Sequence, residues 1–391
     1  MTILLGYGAR PLPVEPRRGI RLRVVEAPRP DPVPDVRATL DDALAHPYGA
    51  RPLAQVASSR TRVVVVVSGA AREEPRAELF AAVRRALAAV PDDQLTLAIA
   101  NGTHLPAPPE RLGLPAEALR RHRVVNHDAR DAGAMVDMGA TSRGTRLRVN
   151  RCLAEADLVV TTGAVRPHHA AGWGGGAKGI FPGLAFDEDV RKNRALADDP
   201  ASALGEADGN PCREDFEEAV RRLGRDTYML NVVAVGAAVV GAVAGDIVYA
   251  HREGVRRGRP WCEVETERAD CVVVSAPLPL AVSLRQAAKL VSRAGLVLRD
   301  GGTAILAAEC AQGAGARADA ALLEPFARRW LPPGSGLVVV SSLDEATVAA
   351  AGGSWAPTLD AALERARERA GKDELDVAVM PDASDLVPRA V

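Results

Sequence analysis

Residues 62–68 read Arg-Val-Val-Val-Val-Val-Ser, and these five consecutive valines constrain the fold of the 391-residue chain more than any other stretch. Valine is restricted at χ1 and suits a pleated strand better than a helix. A strand that is apolar on both faces must be covered on both, as in a parallel sheet between two layers of helices. The following residues supply such a layer. Pro75 opens a helix through residue 89, with Leu79, Phe80, Val83 and Leu87 at helical spacing. Strands are expected again at 95–100, ending in Asn101-Gly-Thr-His104, and at 156–162, ending in Gly163-Ala-Val-Arg-Pro-His168.

The same alternation returns later. Strands are expected at 271–275, 303–307, 337–341 and 376–380, with helices at 280–294, 318–329 and 358–370. Strands alternating with helices define an α/β protein with mostly parallel sheets. A chain of 391 residues is long for one core, so two domains are expected. We place them at 1–262 and 263–391, divided after the basic, glycine-bearing stretch 252–260, with the active site in the crevice between them. The Pro-rich segment 28–34 reads as an extended surface linker. The apolar run 229–245 is short for a bilayer, holds Asn231 and contains three glycines, so it reads as two buried strands turning near Gly236.

Charge excludes one class of partner. Lys plus Arg total 49 against 50 acids, and aromatics are 3%, which offers a phosphate backbone neither excess cation nor stacking platforms. No nucleic-acid or membrane partner is expected. Cys152, Cys212, Cys262, Cys271 and Cys310 are scattered without a Cys-x-x-Cys pair, which suits a reducing compartment. The N-terminal residues lack a signal-peptide pattern, and a cytoplasmic location is expected.

Four stretches follow the carboxyl ends of expected strands, where open α/β sheets bind ligands. They are Arg72, the turn with His104, the loop 163–183, and the helix with Gln286 and Lys289. In the loop, Gly172-Trp-Gly-Gly-Gly-Ala-Lys-Gly179 fits neither a P-loop nor a dinucleotide fingerprint, because Lys178 is followed by glycine and the glycine order is wrong. Backbone around Gly175 and Gly176 can approach a ligand closely beside Lys178. Three of seven histidines, His104, His168 and His169, lie in these loops, and imidazole suits proton transfer to a hydroxyl. Gln286 and Lys289, three apart, share a helix face and can offer an amide and an ammonium to one anion. Arg72 would clamp a carboxylate. His127-Asp128 reads as turn stabilisation.

Together these motifs resemble the lactate racemase (LarA-like) family, whose members carry a nickel-pincer nucleotide tethered to a lysine. The resemblance runs from Tyr7-Gly8 through Ala250-His251 and into the second domain. It rests on Gly102-Thr103-His104, Asn126-His127-Asp128, Val149-Asn150-Arg151, Pro167-His168, Lys178 ten residues on, Pro182-Gly183, Arg72, and Gln286 with Lys289. The resemblance implies a racemase or epimerase of a small 2-hydroxy acid. His104 and His168 would exchange the hydroxyl proton, and a hydride would pass to the pincer ring. Lys178 would be the tether beside Gly175 and Gly176, with Arg72, Gln286 and Lys289 on the substrate carboxylate.

The sequence also departs from the family. Its nickel-ligating histidine follows an asparagine sixteen residues after the tether, and here the pair is Asn193-Arg194. A guanidinium is not a metal ligand, which leaves the metal ligand unknown, with His169 as one candidate. The family's Asp-x-Thr-Arg-Pro becomes Gly69-Ala-Ala-Arg-Glu73, its Asn-Pro-x-His becomes Asn210-Pro-Cys-Arg213, and an acid and a tyrosine become Ala281 and Arg285. A second reading is therefore a non-redox relative that binds an anionic metabolite or nucleotide without nickel.

Overall fold

The Val-rich segment is the strand Val63–Ser68, and its valines expose at most 3% of their surface. It occupies the middle of a six-stranded sheet in the computed structural model, which describes residues 2–70, 73–315 and 321–391. Leu158–Val165 lies on one side of it and Leu95–Ala100 on the other, both parallel. Arg123–Asn126 extends one edge, and Asp226–Val235 extends the other before Ala238–Gly245 turns back antiparallel. The apolar run 229–245 is thus a hairpin, turned at Gly236 with φ 54°. Among the described residues, no helix is long and apolar enough to cross a membrane.

This sheet belongs to a compact unit of Arg29–Trp261. The other unit combines Met1–Pro28 with Cys262–Val391, which differs from the 1–262 and 263–391 division expected from sequence. The difference has a simple physical origin. The strand Ile20–Val24 pairs in parallel with Leu375–Met380, Leu375 facing Ile20, and so closes an edge that would otherwise be open. Leu5, Val14 and Ile20 add their side chains to the core on that side. The second sheet runs Ser354–Ala356, Gly336–Val340, Leu298–Ala307, Ala269–Ser275, Leu375–Met380 and Ile20–Val24, all parallel.

Two expected elements change form. The stretch 252–260, read as a domain break, lies inside the helix Tyr249–Cys262. Its Gly258 is a close-approach residue, since a Cβ there would sit 3.0 Å from Trp173 Cζ3. The helix expected at 280–294 is instead broken into Leu280–Val282, Leu284–Ala287, Ala288–Leu290 and Val291–Val297. Ser283 is extended there, and the amides of Leu284 and Arg285 donate to Gly313 and Ala314 rather than to their own helix. Of the helix expected at 318–329, residues 318–320 lie outside the described residues, and the ordered part is Glu324–Trp330.

A chain beginning at residue 29 should leave the Leu375–Met380 edge open. We expect faster proteolysis within residues 262–391 while 29–261 stays resistant, read by limited proteolysis and peptide mass.

Candidate functional site

Because the strands of the first unit are parallel, the loops after Leu95–Ala100 and Leu158–Val165 leave the same edge of the sheet. The first is the turn 101–104. Asn101 is 5% exposed and donates from Nδ2 to Asn126 Oδ1 and to His127 O, each at 2.8 Å. The His104 amide returns to Asn101 O at 3.1 Å, which leaves the exposed imidazole at the tip.

The second loop begins with a two-residue hairpin in which Pro167–His168 pairs with Gly172–Trp173. His168 is half-buried, and its Nδ1 accepts the amides of Ala170 (3.3 Å) and Ala171 (3.1 Å). In the neutral ring the proton therefore sits on Nε2. The His169 ring lies 4.4 Å from that of His168. Trp173 is fully buried and donates from Nε1 to Gly205 O at 2.8 Å.

Gly175 and Gly176 follow with φ of 78° and 58°, and the turn Gly176–Gly179 carries the half-buried Lys178. The turn is held from beneath. Asn231 Oδ1 accepts the Gly176 amide at 2.8 Å, His251 Nε2 bonds Gly174 O at 2.8 Å, and Arg213 donates to the carbonyls of Trp173 and Gly175. Gly183 then passes so close to Gly179 O that a Cβ would lie 1.9 Å from it. Its own carbonyl accepts the Gly102 amide at 2.9 Å, joining the two loops.

Arg194 is exposed on the helix Asp187–Ala195 and donates from Nη2 to Thr103 Oγ1 at 2.8 Å, next to His104. Asn193 is buried and donates to Asp215 Oδ2 at 2.8 Å. The first unit thus carries His104 on a turn that Arg194 bonds through Thr103, and His168, His169, Gly175, Gly176 and Lys178 on the loop whose Gly183 bonds the same turn. Arg72 lies outside the described residues. Gln286 and Lys289 belong to the other unit, where the half-buried Lys289 ammonium bonds Gln286 Oε1, so the two do share a side.

His127 is a fully buried structural residue. Nε2 bonds Ala185 O at 3.1 Å and Nδ1 faces Asn150 Nδ2 at 3.4 Å. Burial pushes its pKa below the ordinary histidine range. Arg213, Asn231 and His251 support the loop without having been expected to: Asn231 shows in the sequence as the polar residue inside an apolar run, and Arg213 as the residue at the family's Asn-Pro-x-His histidine.

A mostly parallel sheet flanked by helices, with loops bearing histidines and a lysine after its strands' carboxyl ends, defines an α/β protein of the kind that binds ligands at that edge. A family model described as the lactate racemase N-terminal domain matches residues 7–205, just over half of the chain, and the chain belongs to that family. It is 29% identical over 280 residues to a lactate racemase of Thermoanaerobacterium thermosaccharolyticum, covering 70% of this chain and 66% of the relative. A lactate racemase of Lactiplantibacillus plantarum is 27% identical over 284 residues, with 71% and 67% covered. The chain spans about two thirds of the length of both relatives in these matches.

Among solved structures, the lactate racemase apoprotein from Thermoanaerobacterium thermosaccharolyticum superposes with a TM-score of 0.87 at 24% identity, covering 100% of both chains. A protein from Thermotoga maritima gives 0.66 at 15% identity, covering 93% of this chain and 100% of that one. Both likenesses show the two-domain α/β fold.

Two buried rings predict the acid side of the stability curve. His127 is held below the usual histidine pKa, and burial with the charges of Arg213 and Arg252 holds His251 well below it. Unfolding frees both to take protons below about pH 6.5, so stability falls as pH drops through that value and levels once the folded rings protonate. Denaturant titrations from about pH 7 to 5 should show this slope, and it should be shallower in His127→Gln.

Proposed function

We propose that the chain is a racemase or epimerase of a small 2-hydroxy acid that carries a pincer nucleotide on Lys178. The supporting observation is the bond from the Gly102 amide to Gly183 O at 2.9 Å. It ties the turn carrying His104 to the loop carrying His168 and Lys178. Two histidines and an attachable amine then sit on one covalent and hydrogen-bonded framework. The family membership supports the same reading.

The tether half of the cofactor fits the residues present. Gly175 and Gly176 both have positive φ, and a Cβ there would meet Asn231 Oδ1 at 2.9 Å or Ile247 O at 3.1 Å, so the glycines let the turn seat closely on its unit with the Lys178 amine, a group that can be attached, upon it. The metal half does not fit a protein ligand at residue 194. A guanidinium has no lone pair to give, and Arg194 bonds Thr103 at 2.8 Å. Among the described residues, no three His, Cys, Asp or Glu side chains are grouped to hold a metal ion. In this reading nickel would be held by the nucleotide alone or by a nearby group such as His169.

When bound, the group would supply the hydride acceptor, because the C–H beside the hydroxyl is too weakly acidic for an imidazole to remove its proton. The chain's own residues do the rest. His104 takes the hydroxyl proton. His168 would hydrogen-bond the same oxygen through its Nε2–H without giving that proton up, because its Nδ1 accepts two backbone amides, and His104 would return the proton it took. Gln286, Lys289 and Arg72 hold the carboxylate, the first two as a pair already hydrogen-bonded to each other.

The bond between Arg194 and Thr103 favours a second reading, in which the chain binds an anionic metabolite or nucleotide without nickel. Protein produced together with the enzymes that make the pincer nucleotide separates the two. The first reading expects a mass addition on the Lys178 peptide and nickel by elemental analysis. An unmodified Lys178 without nickel would overturn it and leave the second.

On loaded protein, His104→Ala and His168→Ala should each slow interconversion of 2-hydroxy acid enantiomers by about 100-fold or more, followed by chiral chromatography. Undiminished turnover in either variant removes that histidine from the mechanism.

A further inference from the structure

Three consecutive carbonyls precede Lys178 in the glycine-rich turn, and each is taken by a buried side chain. Arg213 donates from Nη2 to Trp173 O and from Nη1 to Gly175 O, the latter at 3.3 Å. His251 bonds the carbonyl between them, Gly174 O, at 2.8 Å. Arg213 and His251 are both 0% exposed. We propose that they are positioning residues that set the place from which Lys178 projects, a proposal that rests on Lys178 being the attachment point.

The geometry links the clamp directly to the lysine. The backbone amide of Lys178 donates to Gly175 O at 3.3 Å, the same carbonyl that Arg213 holds. Moving Gly175 O therefore moves the lysine. Asn231 Oδ1 fixes the intervening residue through the Gly176 amide. The two-residue ladder ends at Trp173, the Gly174 amide bonds Arg166 O at 2.6 Å, and these side chains take the carbonyls of Trp173, Gly174 and Gly175.

The donors have one consistent direction. Glu217 holds Arg252 at 2.7 and 3.1 Å, and Arg252 Nη1 lies 3.2 Å from His251 Nδ1. An arginine can only donate, so Nδ1 accepts and Nε2 carries the proton that reaches Gly174 O. Burial and the two flanking arginines keep this ring neutral, which preserves that tautomer. The two clamps come from different helices, Pro211–Arg222 and Tyr249–Cys262, so the turn is gripped from two elements at once. A buried arginine is retained against its desolvation. Here what it secures is one turn and the lysine on it.

Hydrogen exchange on the purified protein without cofactor tests the clamp by itself. Arg213→Gln should speed exchange of the amides in 174–180 by about tenfold or more, while the strand Leu158–Val165 stays protected. Arg213→Lys, which keeps the charge and can reach one carbonyl, should restore part of the protection. Unchanged exchange in 174–180, or an equal rise over the whole unit, would overturn the proposal. His251→Leu supplies the same comparison if Arg213→Gln does not fold.

A second readout goes beyond structural support. In protein made with the cofactor-synthesis enzymes, the modified fraction of Lys178 should fall about tenfold in Arg213→Gln and recover in Arg213→Lys, at equal yield of folded protein. Equal modification in all three would overturn the positioning role. A wild-type Lys178 that stays unmodified strikes the function proposed above and leaves the exchange comparison standing.

Discussion

A backbone group taken out of water needs a hydrogen-bond partner, and in residues 166–183 the strand ladder stops at the pairing of Pro167–His168 with Gly172–Trp173. Much of the first unit is arranged around that need. Trp173 reaches Gly205 O with its indole, Asn210 reaches Ala170 O at 2.9 Å, and Arg213, His251 and Asn231 serve the glycine turn. The Asn210 carboxamide also caps the helix Pro211–Arg222 through the Arg213 amide at 3.0 Å. One side chain thereby starts the helix and holds the loop, and the helix then delivers Arg213 to the turn. Removing any of these partners would strand a buried polar group, which costs more than the bond itself returns.

The second unit uses the same device in a different place. Arg293 is 3% exposed, and its guanidinium donates to Ala383 O at 3.1 Å, Ser384 O at 3.0 Å and Lys289 O at 3.2 Å. Burial pulls both Arg213 and Arg293 from the usual arginine range to about 10, which still leaves them charged at neutral pH. In each unit a buried cation grips main-chain carbonyls around a lysine beyond the carboxyl edge of a sheet. Arginine suits this work because its planar fork meets several carbonyls at once and keeps its charge when buried.

The valine run could be read as a central strand because its residues are apolar on every face. The hairpin at 229–245 was legible from glycine and asparagine within an apolar run too short for a bilayer. The break in the helix expected at 280–294 was not legible. Its periodicity is helical, but the loop 310–314 offers carbonyls to Leu284 and Arg285 and takes one from Ala281. The helix Tyr249–Cys262 was hidden for the opposite reason, since Gly254, Gly258 and Pro260 read locally as breakers. Contact with Trp173 rewards the small residue at 258 once the fold is made. Local propensity is a weak prior wherever tertiary packing supplies its own partners.

The spacing of motifs along the chain determined the α/β alternation, the family, and which loops carry His104, His168 and Lys178. These properties are local, because strand patterning and turn composition are written in consecutive residues. Tertiary structure alone decided that residues 1–28 join the second unit, because strand pairing across 355 residues, from Ile20 to Leu375, leaves no local trace. It also decided that Arg194 bonds Thr103 and that Arg213 and His251 hold the lysine turn. Those contacts depend on where helices finally pack. An arginine in a sequence gives no sign of whether it meets solvent, a hydroxyl or a buried carbonyl.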